Sequence, residues 1–144
     1  MEKKSRLKIL IVSQYFWPEN FRINELVKFF YKKNISSSVL TTFPSFPNKK
    51  IFENFKERVF VSKKIKLKRF RSFPRGQTNV SIFLNYSSFI INSLFSLSKF
   101  LTFNKTDVIF IFCPSPILSA IPAILINKIF NKKIVIWVLD LWPD

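Results

Sequence analysis

The stretch Lys8-Ile9-Leu10-Ile11-Val12-Ser13-Gln14-Tyr15-Phe16-Trp17-Pro18-Glu19-Asn20-Phe21-Arg22-Ile23-Asn24-Glu25-Leu26-Val27 decides the fold. Residues 7–13 form an apolar run of the kind found in a parallel strand buried on both faces. A polar and aromatic loop follows over residues 14–19. Ile23, Leu26, Val27, Phe30 and Tyr31 then recur at helical spacing, with Lys28, Lys32 and Lys33 on the opposite side. Asn20 is placed as the helix N-cap, and Glu19 and Glu25 suit the positive end of the helix dipole. This is one strand–loop–helix unit of an α/β protein.

The pattern repeats outward from there. Residues 39–42 read as a second strand that ends in the rigid loop Phe43-Pro44-Ser45-Phe46-Pro47-Asn48. Residues 59–61 and 65–70 are weaker, basic strands suited to a sheet edge. Residues 77–101 predict a long helix and residues 106–113 a very apolar strand. Ser115 looks like an N-cap with Pro116 in the first helical position. The helix to Phe130 is apolar on most sides, which predicts burial. Pro122 kinks it unless it starts later, near Ser119. Residues 134–139 form a last strand that looks buried. Alternating strands and helices predict a Rossmann-like parallel sheet with helices on both faces. No internal repeat or low-complexity linker interrupts the chain, and 144 residues suffice for one domain with a real core.

Composition excludes several chemistries. There is no His and a single Cys, Cys113. A Ser-His-Asp triad, a Cys-His dyad and a zinc site are therefore out of reach. Cys113 sits in an apolar run and reads as a buried small hydrophobe. No internal disulfide is possible, which fits a reducing cytoplasm. No glycine-rich phosphate loop is present, Gly76 being the one glycine. The start of the chain lacks a signal-peptide pattern.

The net charge is +16, and eleven of the basic residues fall between Lys49 and Arg75 against Glu53 and Glu57, a local excess of nine. Such a block suits lipid headgroups, phosphates or nucleic acid, and equally a solvated face. The uncharged residues 80–98 are long enough to cross a bilayer, but two Asn and five Ser after Leu84 dilute them. A buried or membrane-surface helix is the favoured reading.

In a parallel sheet all strand carboxyl ends share one edge, where ligands bind. The loops over residues 14–19, 43–48, 114–115 and 140–144 are therefore expected to converge. Their content, Gln14, Tyr15, Trp17, Glu19, Phe46, Asn48, Ser115 and Trp142, with Asn20 next to the first loop, supplies aromatic walls with a few polar groups, as a sugar or amphiphilic ligand requires. Asp140, at the end of the last strand, is the candidate catalytic carboxylate.

Residues 8–20 followed by Arg22-Ile23-Asn24-Glu25-Leu26 resemble the opening of family-4 glycosyltransferases, in particular the branch of WbuB-type enzymes of bacterial surface polysaccharide synthesis. Three further stretches are similar in the same order. Thr41 to Asn48 with Ile51-Phe52 resembles a Pro-Asn-Tyr-Pro type loop, Asn85-Tyr86-Ser87-Ser88-Phe89 a Tyr-x-Ser-Phe helix, and Asp140-Leu141-Trp142-Pro143-Asp144 an Asp-Leu-Trp-Pro-Glu turn. Leu139 departs from the pattern where many members carry His or Arg.

The resemblance implies a two-Rossmann-domain (GT-B) enzyme that transfers a sugar with retention and without metal. The chain, residues 1–144, would be the N-terminal acceptor domain. The nucleotide-sugar donor would bind a C-terminal domain outside this sequence, so no cofactor is expected here. Implied partners are a sugar or lipid-linked glycan acceptor, an anionic membrane surface at the inner face of the cell membrane and, for a split enzyme, a separate donor-domain chain. Split-enzyme and non-catalytic RNA- or membrane-binding readings stand as alternatives, with nucleic acid the less favoured partner.

Overall fold

The computed structural model describes residues 7–47, 49–52, 54, 65–114 and 117–139. Its strands are β1 (Lys8–Ser13), β2 (Ser36–Thr42), β3 (Lys66–Phe70), β4 (Val108–Cys113) and β5 (Lys133–Val138). They form one sheet in the order β3-β2-β1-β4-β5, with every pairing parallel. The helices are α1 (Ile23–Lys32), α2 (Asn79–Phe103) and α3 (Ile121–Phe130), with short 3-10 turns at Lys49–Phe52 and Ile117–Ala120. This is the Rossmann-like α/β arrangement expected from the alternation of apolar strands and helices.

Strand alternation divides the core in two. Ile9, Ile11, Val39 and Phe112 point to one face and pack with Ile23 and Val27 of α1. Leu10, Val12, Leu40, Ile109, Ile111 and Cys113 point to the other and pack with Phe89, Leu97, Phe100 and Leu101 of α2 and Ala123 and Ile126 of α3. β1 lies between β2 and β4, and its Leu10, Ile11 and Val12 are essentially inaccessible. A strand covered on both faces needs the unbroken apolar run that marks it in sequence. At the amino ends, the Lys8 N–H donates to Asp107 Oδ2 at 2.8 Å and the Asp107 N–H donates to the Lys8 carbonyl at 2.9 Å, fixing the β1/β4 start.

Several local expectations change. The N-cap of α1 is Arg22, with no side-chain capping bond, rather than Asn20. Asn24 ties the turn instead. Its Nδ2 donates to the Glu19 carbonyl at 2.7 Å and its Oδ1 accepts from the Trp17 N–H at 2.9 Å. The α-helical part of the fourth connection begins at Ile121, so Pro122 sits in its first turn and causes no kink.

α3 is not buried on most sides. Ile124, Leu125 and Ile129 are exposed, because the side of α3 that meets the sheet and α2 is the Pro122, Ala123 and Ile126 stripe with Phe130 beside it. β5 is the sheet edge, and its Val135 and Ile136 are exposed despite the apolar sequence. An apolar run of this length is equally compatible with a covered and an open strand, so pattern alone overestimates its burial. The candidate strand over residues 59–61 lies outside the described residues.

The apolar helix expected over residues 77–101 is α2. It is long and apolar enough to cross a membrane by length and composition. It lies along the sheet through Asn85, Phe89, Ser93, Leu97, Phe100 and Leu101, a stripe at helical spacing. Thr78 caps it, its side chain accepting from the Ser81 N–H at 3.2 Å.

Candidate functional site

The loops after β1, β2 and β3 meet at the carboxyl edge of the sheet, and Glu19 binds two of them together. The residue is 2 % exposed. Its Oε1 accepts from the Ser45 N–H at 2.9 Å and the Phe46 N–H at 2.8 Å, and its Oε2 accepts from the Phe16 N–H at 3.1 Å. The carboxylate thus satisfies donors that the turns leave without a ladder partner. Burial pushes its pKa above the ordinary carboxylate value, opposed by these N–H bonds and by the Arg69 charge. Arg69, from β3, clamps the same loops: Nη1 donates to the Thr42 carbonyl at 2.8 Å and Nη2 to the Trp17 carbonyl at 2.6 Å.

Beside this clamp lies an aromatic cluster. The Tyr15 ring stacks on Phe21 with centroids 5.0 Å apart and is tilted against Phe46 at 5.3 Å. Its hydroxyl accepts from Arg75 Nη1 at 3.4 Å. The Arg75 guanidinium lies 5.8 Å from the Phe46 ring centroid and 5.9 Å from that of Tyr86 on α2. Burial raises the Tyr15 pKa, an effect the Arg75 bond partly offsets, so the phenol stays protonated.

Gln14 is buried at the strand end. Its Nε2 donates to Asn85 Oδ1 at 2.8 Å, and its carbonyl accepts from Thr42 Oγ1 at 2.6 Å. Asn85 Nδ2 in turn donates to the Phe73 carbonyl, fixing the post-β3 loop. An open cleft of about 480 Å³ lies between the post-β2 and post-β3 loops, lined by Phe43, Pro44, Ser45, Phe52, Arg71, Ser72 and Pro74. A smaller hollow of about 150 Å³ at the amino ends of β1, β2 and β3 is remote from these groups.

No protein-family model matches the chain, and neither does any curated protein. Solved structures do. The C-terminal domain of PF1911 hydrogenase from Pyrococcus furiosus superposes with a TM-score of 0.63 at 14% identity, over 91% of both chains. A second structure of that domain gives 0.55 at 13% identity, over 90% of this chain and 89% of the other. The glycotransferase of kitacinnamycin gives 0.60 at 12% identity over 92% of this chain. The chain spans 30% of that glycotransferase's length. The chain therefore shares its Rossmann-like α/β fold with a hydrogenase domain and with part of a glycotransferase. A hydrogenase domain sharing it shows how little the fold alone says about chemistry.

The sequence-derived site residues occupy distinct positions. Gln14, Tyr15, Glu19 and Phe46 gather at the carboxyl edge. Trp17 is half-buried in the same loop, and Asn20 is exposed on its outer side. Asn48, Ser115, Asp140 and Trp142 lie outside the described residues. Glu19 spends both carboxylate oxygens, and Gln14 its Nε2 and backbone carbonyl, on the protein itself, so they shape the loops around the cleft.

Sequence reasoning missed the post-β3 loop altogether. Arg75 and Arg69 were merged into a basic block, and Asn85 was seen only as part of a motif. An Arg flanked by Pro74 and Gly76 just before an N-cap Thr was the available signal.

Proposed function

We propose that this chain is the acceptor-binding half of a retaining, GT-B type sugar transferase of surface polysaccharide synthesis, of the WbuB-like branch that its motifs resemble. The cleft of about 480 Å³ at the carboxyl edge carries this reading. Phe43 and Phe52 offer apolar faces for a sugar ring, and Ser45, Ser72 and Arg71 offer polar groups for its hydroxyls. The backbone likeness to a glycotransferase supports it. The nucleotide sugar would bind a separate donor domain, and Asp140, by resemblance, would orient the acceptor hydroxyl.

Peripheral membrane attachment belongs to the same reading. Val80, Leu84, Ile91 and Phe95 form an exposed apolar stripe on the outer side of α2, and Ile124, Leu125 and Ile129 are exposed on α3, which packs beside it. Lys99 and Lys128 lie on these two helices. Such a face suits the surface of an anionic bilayer and a lipid-linked acceptor.

Saturation-transfer NMR with a panel of neutral oligosaccharides tests the cleft. Transfer from a sugar ring to the protein is expected, lost in Phe43→Ala/Phe52→Ala, together with sugar transfer when a donor domain is supplied and its loss in Asp140→Asn. No saturation transfer from any sugar, with no turnover on complementation, sinks the reading.

A further inference from the structure

The two arginines that reach the carboxyl-edge loops are used differently. Arg69 is committed to the Thr42 and Trp17 carbonyls. Arg75 is half-buried and makes one hydrogen bond, the 3.4 Å contact to the Tyr15 hydroxyl. A guanidinium carries five N–H donors, so four have no protein acceptor among the described residues. No carboxylate pairs with Arg75 there either.

Its position is nonetheless fixed. The Phe46 and Tyr86 rings brace the guanidinium at 5.8 and 5.9 Å, and Tyr15, which anchors it, is itself 2 % exposed and stacked on Phe21. Aromatic bracing lowers the entropy a long side chain loses when it binds an anion.

The neighbouring sequence carries further positive charge. Ser45 and Pro74, neighbours in sequence of Phe46 and Arg75, line the open cleft together with Arg71. The N-terminus of α2, positive through its peptide dipoles, begins four residues after Arg75. A fixed guanidinium with unspent donors in a planar fork matches phosphate oxygens, which take several such donors at once.

We infer that Arg75 is an anion-recognition residue that takes a phosphate or diphosphate group of the ligand entering the carboxyl-edge cleft. This deepens the proposed function by making the acceptor phosphorylated, and it relies on that reading only for calling the ligand an acceptor. The phosphate belongs either to a soluble phosphate ester or to a lipid headgroup.

Isothermal titration of the chain with inorganic pyrophosphate, phosphate and acetate tests this without any sugar. Pyrophosphate is expected to bind more tightly than acetate, and Arg75→Gln to weaken it about ten- to hundredfold, as loss of charge-assisted hydrogen bonds implies. Arg75→Lys, which keeps the charge and guards against misfolding of the first variant, is expected to retain part of the affinity. Lys32→Gln, the same charge change at an exposed site in the last turn of α1, is expected to leave binding unchanged.

Flotation with phosphatidylglycerol vesicles separates the sources. If Arg75→Gln loses pyrophosphate but keeps the vesicles, the phosphate is that of a soluble ligand; if it loses both, the phosphate is the lipid's. Pyrophosphate affinity equal in wild type and folded Arg75→Gln, equal acetate and pyrophosphate binding, or no pyrophosphate binding by the wild type, overturns the inference. Each of these leaves the oligosaccharide test untouched.

Discussion

Replacing Glu19 by Gln is the sharpest test of how this edge is held together. The side-chain shape is kept, but one acceptor oxygen becomes an amino group. If the amide oxygen stays on the Ser45 and Phe46 N–H groups, the amino group faces the Phe16 N–H, donor against donor. Leaving one buried donor without an acceptor costs about 1–3 kcal/mol, of which about 2 is taken here. Unfolding entropy of about 2 cal/mol/K per residue, over 144 residues, converts this into a fall in Tm of about 7 °C.

The control is Glu25→Gln, the same charge change at an exposed site in the first turn of α1, expected to stay within about 0.5 kcal/mol. The Phe16 amide should also exchange faster in Glu19→Gln. The pH dependence has a definite sign. The folded pKa of Glu19 is raised, so between the ordinary value of 4.5 and the raised one the folded chain binds more protons than the unfolded chain. This group's contribution is largest at low pH and is lost as pH rises through the folded pKa, because burial disfavours the ionised form more than the three N–H bonds and Arg69 favour it. The wild type's margin over Glu19→Gln is therefore expected to be wider at mildly acidic than at alkaline pH. Equal melting temperatures for wild type and Glu19→Gln, or a margin that widens with rising pH, would refute this account of the loop clamp.

Two further substitutions probe the frame around the cleft. Asn85→Leu, which leaves the Gln14 amide without its partner, is expected to cost about 2 kcal/mol in urea unfolding, and the double variant Gln14→Leu/Asn85→Leu to cost less than the sum of the singles. Asn131 sits in the left-handed region at φ 46° where it ends α3. Asn131→Ala is expected to lose about 1 kcal/mol, while Asn131→Gly holds or gains a few tenths, read from denaturation midpoints.

The sheet was legible because its physics is local. Leu10, Ile11 and Val12 must be apolar on consecutive positions to be covered on both faces, and a period-two or helical pattern could not mimic that. The cover of an element was not legible. Residues 134–138 and the outer side of α3 are as apolar as the centre, yet they lie at an edge, and hydrophobicity does not encode what packs against them. That the loops after β1 and β2 meet at the carboxyl edge follows from parallel topology alone, which puts Gln14, Tyr15, Glu19 and Phe46 on one edge. Their roles did not follow, since whether a carboxylate faces a ligand or three peptide N–H groups depends on a contact 26 residues away in sequence.

The same limit explains the arginines. In sequence, Arg69 and Arg75 are two charges in one basic segment, and composition assigns both to the same solvated or anion-binding face. Alternation along β3 gives them no common fate. Arg69 is still in the strand and is carried over the sheet edge onto the carbonyls of two preceding loops. Arg75 lies five residues beyond the strand, where the chain turns back toward α2 and meets the rings of Tyr15, Phe46 and Tyr86. Each of those rings comes from a different connection, so no window of sequence contains the brace. A charge becomes a recognition group when the protein fixes its position and leaves its donors unspent. Both conditions are properties of the assembled edge, and at this edge the described residues meet both at Arg75.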